Sequence, residues 1–260
     1  MATWAKIKFF WETMLGSSNS SLTASTTGLG DYDVHYLFNM LETNCWRSEN
    51  AVSPQYITYD AGEGNLKSAD YLAVIGHNLK SCGAAIALQY SSDNFISDIN
   101  DAFTPFSPTA DSVILKEFSG ALASRYWRLK ITNISEAVFI AICIWGNKTE
   151  LDYATVGFDP HEQDAKASVN LSYSGYIAGI HNKYVERSMS IAFNDADAEL
   201  YQKVKNWWDT SGLKNFFVAW DTANNPEDVF LMRPDTKFSN PFKNGGVYRD
   251  ITLRLTGRKE

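Results

Sequence analysis

The side chains able to move protons, hold metals or attack a carbonyl are present in this chain, but their spacing supports little reactive chemistry. Its 4 histidines, His35, His77, His161 and His181, show no HExxH spacing and no metal-ligand interval to Cys or Asp. His161 falls in an acidic stretch, where a solvated ring is expected. His77 ends an apolar run, where a hydrogen-bonded structural histidine is expected. The 3 cysteines, Cys45, Cys82 and Cys143, are far apart, odd in number and lack a CxxC pair. Reduced, mostly buried thiols are expected, as in a reducing compartment. No GxSxG elbow, Walker loop or GxGxxG occurs, and Gly245–Gly246 reads as a turn before a strand.

Carboxylates are plentiful, but acid–base catalysis needs two of them held in one cleft with separated pKa values. Asp195, Asp197 and Glu199 open a helix, and capping accounts for them. Asp152, Asp159, Glu162 and Asp164 lack the DxDxDG order of a calcium loop and read as a solvated connector. These residues point away from an enzyme. No cofactor or metal is expected, although a structural calcium in the first domain stays open.

Bulk properties narrow the partners. The net charge is −7 and no Lys/Arg run stands out, so nucleic acid is not expected to bind. No apolar run reaches about 18 residues, which excludes a membrane-crossing helix. Glu12 interrupts the apolar N-terminal stretch, which lacks a signal-peptide pattern, so the Asn-x-Ser/Thr sequons at Asn19, Asn133, Asn147 and Asn170 read as chance matches. The 8 Trp and 13 Tyr favour sheet packing and adhesive interfaces.

The elements that must position any site are mainly strands. Residues 4–14 read as a first strand, and the Ser/Thr/Gly-rich stretch 16–30 as a loop or irregular edge. QYITYD (55–60), YLAVIG (71–76), AAIALQYS (84–91), SVILKEF (112–118), RYWRLKIT (125–132) and AVFIAICIW (137–145) follow as short strands separated by turns. In RYWRLKIT, Trp127, Leu129 and Ile131 face inward; YLAVIG and AVFIAICIW are apolar on both faces and are expected to be central. This spacing predicts a β-sandwich over 1–150. A polar connector is expected at 151–168. Residues 169–260 then read as an α+β unit: a strand over 184–193, an amphipathic helix over 195–209, and strands in FFVAWD (216–221), VFLMRP (229–234) and VYRDITLRL (247–255).

The order NMLETNCWRS (39–48), QYITYDAGEG (55–64), ADYLAVIGHNL (69–79), AAIALQYSSDN (84–94), ASRYWRLKIT (123–132), FIAICIWGN (139–147) resembles the discoidin family, the galactose-binding-like jelly-roll sandwich. The whole chain is also similar to phage and prophage tail proteins carrying this sandwich in front, through GHNL (76–79), SRYWRL (124–129), FFVAWD, Pro226 and YRDITL (248–253). The second domain is similar in strand order to the barrel-like units of tail tubes and distal rings.

The resemblance implies a structural protein of a virion tail, at the tip or baseplate, assembled in the host cytoplasm. Its C-terminal domain would join a homo-oligomeric ring with other tail proteins, and its sandwich would reach host-surface glycans. A carbohydrate-binding module without a role in tail assembly is the alternative, and a glycosidase is a third reading. Arg47, His77, Asn78 and Asp93, near strand ends, are the glycan candidates. Trp207, Trp208 and Trp220 are the interface candidates.

Overall fold

The computed structural model describes residues 4–119 and 123–258. The first strand, β1, forms only over Lys8–Phe10, and the chain then bends at Met14 and turns at Leu15–Gly16. The chain divides into two units, one of residues 10–149 and the other of residues 4–9 together with 150–258. The expected boundary at 150 is therefore incomplete at its N-terminal side. The reason is packing: Phe9 is fully buried and makes edge contacts with Trp207 at 5.0 Å and Phe216 at 4.8 Å.

The first unit is a two-sheet antiparallel β-sandwich. Its strands are β2 (Ser21–Ala24), β3 (Trp46–Arg47), β4 (Gln55–Asp60), β5 (Tyr71–His77), β6 (Ala85–Ser91), β7 (Asn100–Asp101), β8 (Ile114–Glu117), β9 (Tyr126–Thr132) and β10 (Phe139–Gly146). One sheet runs β3-β10-β5-β8 and the other β2-β4-β9-β6-β7, with antiparallel pairing throughout. Strand β2 arises inside the Ser/Thr-rich stretch as an edge strand on β4.

Alternation fixes the faces. Trp127, Leu129 and Ile131 of β9 are fully buried, while Tyr126, Arg128 and Lys130 are only half-buried on the other side. Strands β5 and β10 sit centrally, and almost every side chain on both faces is buried, as their unbroken apolar runs require. Trp46, Trp127 and Trp145 anchor one continuous core with Tyr59, Leu72 and Ile140. After β4, Gly62 adopts φ +87°, and a Cβ there would meet the Asn19 carbonyl oxygen at 2.5 Å. Only glycine closes that turn. Asp60 accepts its N–H and holds Arg125 in a fork, at 2.7 and 3.0 Å.

The chain leaves the sandwich through β11 (Thr149–Glu150). The second unit contains β12 (Gln163–Leu171), β13 (Ile177–Ala196), α1 (Ala198–Ser211), β14 (Phe216–Ala219), β15 (Val229–Pro234), β16 (Phe242–Lys243) and β17 (Tyr248–Arg258). The sheet order is β11-β1-β14-β15-β17-β13-β12, with β16 on β17. The expected linker 151–168 ends early, because 163–168 find ladder partners at 181–187 in β13. Helix α1 starts three residues later than its acidic opening implied. Strand β13 continues to Ala196, paired with Arg249, and leaves Asp197 to cap the helix by accepting the Leu200 N–H at 2.8 Å. Its apolar stripe buries Val204 and Trp207.

Candidate functional site

The four glycan candidates do not form one site. The register puts His77, Asn78 and Arg47 at one end of the sandwich, since β10 pairs Ile140 with His77 and Phe139 with Arg47. Asp93 follows β6, whose far end, Ser91, pairs with Tyr126 at the opposite end. His77 is internal: its Nδ1 accepts the Leu79 N–H at 3.2 Å, and its Nε2 lies 2.9 Å from the Ser112 carbonyl oxygen. That geometry selects the Nε2–H tautomer, and burial lowers the pKa of the ring from its ordinary value. Asn78 is also buried, donating to Ala137 O at 3.0 Å and accepting the Phe139 N–H at 2.9 Å. Both brace loops.

Asp93 latches its own loop, accepting from Ser91, from the Ser97 hydroxyl and from the backbone N–H groups of Ile96, Ser97 and Asp98. The bond from the Ser97 side chain, then the others, hold its carboxyl far below the usual range. Only Arg47 faces solvent, with its guanidinium 5.8 Å from the Tyr32 ring centroid.

The outward face of the five-stranded sheet carries an arrangement missed in sequence. Arg128 lies between two rings, 3.9 Å from the Phe95 centroid and 4.5 Å from that of Tyr56. Its Nε donates to Gln89 Oε1 at 2.8 Å, and Gln89 Nε2 donates to Asp101 Oδ1 at 2.8 Å. Beside this row, Ala85 and Ala87 point outward opposite Thr132 and Lys130. Two methyl groups where longer side chains would stand leave a cleft of about 180 Å³, lined also by Gln89, Asp101 and Pro105. Lys130 makes no ion pair among the described residues.

The interface candidates separate as well. Trp207 is fully buried against Phe9, Phe216 and Trp208, so it belongs to the core and not to an interface. Trp208 is half-buried and stacks on Phe238 at 5.3 Å. Trp220 reaches an open groove of about 870 Å³, lined chiefly by Trp4, Tyr153, Val156, Phe158 and His161. Trp4 lies 5.8 Å and His161 6.0 Å from the Trp220 ring, whose Nε1 donates to Asp228 at 3.1 Å. The groove draws on three separate stretches of sequence, which hid it.

Motif residues explain themselves structurally. Asp221 of FFVAWD is fully buried and accepts the Ala5 N–H at 3.0 Å and the Asn224 side-chain amide at 2.7 Å. Burial works against its charge, but these hydrogen bonds win and lower its pKa. Arg249 of YRDITL stacks between Tyr201 and Phe242, 3.9 Å from each ring centroid.

Cys82 and Cys143 are buried, Cys45 is half-buried, and all three thiols are free. Among the described residues, no three His, Cys, Asp or Glu side chains gather as a metal site.

No family model matches the chain, and no curated protein does. Solved structures show a distant likeness. A GH29 fucosidase of Ruminococcus gnavus, solved with fucose, is 13% identical with a TM-score of 0.45, over 55% of this chain and 28% of that one. Chitosan-binding module 1 from a chitosanase/glucanase of Paenibacillus sp. IK-5 is 20% identical, TM-score 0.40, over 49% of this chain and 94% of the module. CpGH89CBM32-5 of Clostridium perfringens, solved with GalNAc-β-1,3-galactose, is 13% identical, TM-score 0.40, over 49% of this chain and 95% of that one. Likeness at this level assigns no ligand to the present chain.

Proposed function

We propose that the chain binds carbohydrate through its sandwich and does not cleave it. The observation that carries this reading is the polar cleft beside the Tyr56–Arg128–Phe95 stack. At about 180 Å³ it is smaller than the roughly 300–1,000 Å³ of a drug-sized pocket and suits a single sugar unit. Asp101 would accept from sugar hydroxyls, Lys130 and Thr132 would donate, and the two alanines would meet the apolar face of the ring. Gln89 fixes Asp101, and Arg128 fixes Gln89, so the acceptor is held before ligand arrives.

The test is calorimetry on the full chain, with fucose, GalNAc-β-1,3-galactose and chitosan oligosaccharides as the first panel and a glycan array behind it. Asp101→Asn and Lys130→Ala should each weaken binding about 10-fold or more, consistent with loss of a charged hydrogen bond. Arg47→Ala, on the other sheet, should leave affinity unchanged. Loss with Arg47→Ala alone would move the site to the loops around Tyr32. Release of reducing ends from any bound polysaccharide would overturn the non-catalytic reading.

A second reading, a structural subunit of a phage tail tip or baseplate, draws support from the ribbon β12–β13. Its outer half exposes Val169, Leu171, Tyr173, Tyr176, Ile177 and Ile180, the profile of a contact surface. Copies assembled in a ring, visible by electron microscopy of the purified protein, would favour it. A sugar-binding monomer would favour the first reading alone.

A further inference from the structure

We infer that copies of this chain join head to tail, the tip of the β12–β13 arm of one copy seating in the aromatic groove of the next. The inference stands whether or not the sandwich binds sugar, and it supplies the assembly reading with a contact. Beyond Glu186, where β13 leaves β17, the two strands pair only with each other among the described residues. A bare two-stranded ribbon is marginal in water. This one exposes apolar side chains along its length and at its turn: Val169 52%, Leu171 61%, Tyr173 109%, Tyr176 76%, Ile177 66% and Ile180 65%. The turn is nonetheless well made, with Ser172 N–H donating to Tyr176 O at 2.7 Å and Gly175 N–H to Ser172 O at 2.9 Å. The tip is thus built, apolar and uncovered.

The same unit offers a matching surface. The groove of about 870 Å³ is lined mainly by rings and aliphatic groups, and Trp4 and Tyr153 are each about half exposed on its rim. The arm cannot serve its own groove. Pro160 and His161 lie within three residues of the start of β12, and Arg187, at the foot of the arm, donates to Pro160 O at 3.1 Å. From Gln163 to Tyr173 the extended strand covers about 30 Å, so the tip stands that far from the groove at its root. Folding back would cost the whole ladder.

The occupant is therefore a second copy. Each aromatic side chain covers roughly 150–250 Å² when buried. Tyr173 and Tyr176 with four aliphatic neighbours approach the roughly 800 Å² per partner of a stable complex. Because arm and groove are different surfaces, the contact is heterologous and repeats, closing into a ring or running on as a filament.

The experiment uses the full chain and native mass measurement across a concentration series. Wild type should assemble. Tyr173→Asp with Tyr176→Asp in the arm, and Val156→Asp in the groove, should each weaken self-association about 30-fold or more. These positions are exposed, so at concentrations where wild type is monomeric the variants should keep its unfolding curve. Mixed one to one, the arm variant supplies an intact groove and the groove variant an intact arm. A capped heterodimer should form and grow no further. A strictly monomeric wild type, unaltered assembly of both variants, or a mixture that stays monomeric while wild type assembles would each overturn the inference. Sugar affinity read on the same variants should not change, which separates this result from the fate of the sandwich site.

Discussion

Strand β9 in the sandwich and strand β12 in the second unit follow the same rule of alternation and meet opposite fates. In β9 the alternating Trp127, Leu129 and Ile131 are buried completely. In β12 the alternating Ala165, Ala167, Val169 and Leu171 are all exposed. A period of two specifies that a strand has an apolar side, but not what covers that side. In β9 the cover is the facing sheet of the same chain. In β12 it has to come from outside.

The comparison can be broken first where it is strongest. Read by chemical denaturation at concentrations where the chain is monomeric, Trp127→Ala should cost the sandwich about 3–5 kcal/mol, whereas Leu171→Ala should stay within about 0.5 kcal/mol. Equal losses would mean that the arm is covered by its own chain. Next comes Asp221→Ala, which leaves the Ala5 N–H and the Asn224 amide without their acceptor. A loss of about 1.5–3 kcal/mol is expected in the second unit, with the sandwich transition unmoved.

A smaller effect is expected from His77. Burial lowers its folded pKa below the ordinary value of 6.5, so the folded state favours the neutral ring. Its contribution is complete above about pH 6.5 and is lost as pH falls through the depressed folded value. Denaturation midpoints from pH 8 to 5 should decline in wild type and flatten in His77→Gln.

Smallest is the Asp93 latch. Its carboxyl, held far below 3.8 by the Ser97 hydroxyl and the neighbouring N–H groups, contributes fully above that value. The contribution fades only as pH falls through the depressed value. Amide exchange at Ile96 and Asp98 should quicken in strong acid and, for Asp93→Asn, already at neutral pH.

Much of the fold was legible because it is written in local patterns. The unbroken runs of β5 and β10, the inward stripe of β9 and the helix stripe at Val204 and Trp207 all appear where periodicity put them. Long-range partners were not legible. Nothing in KIKFF announces that Phe9 belongs beside Trp207 and Phe216. The candidate site was harder still. Polar residues at strand ends were sound suspects, but His77 and Asn78 turn inward to hold loops, a choice made by burial and not by residue type. The cleft on the sheet face depends on alanines opposite Lys130 and Thr132, and small residues carry no chemical signal in sequence. The groove gathers Trp4, Tyr153 and Trp220 from segments that only the fold brings together.

Because β1 belongs to a sheet whose other members all come from residue 149 onward, the sandwich is an insertion within its neighbour. On the ribosome, Phe9 emerges early, yet Phe216 follows only about 10–40 s later at ordinary elongation rates. The sandwich has time to fold in that interval while β1 waits without its sheet. A fragment beginning at residue 150 would lack the strand that Phe9 supplies, so expressing the two halves separately should give a soluble sandwich and an insoluble remainder.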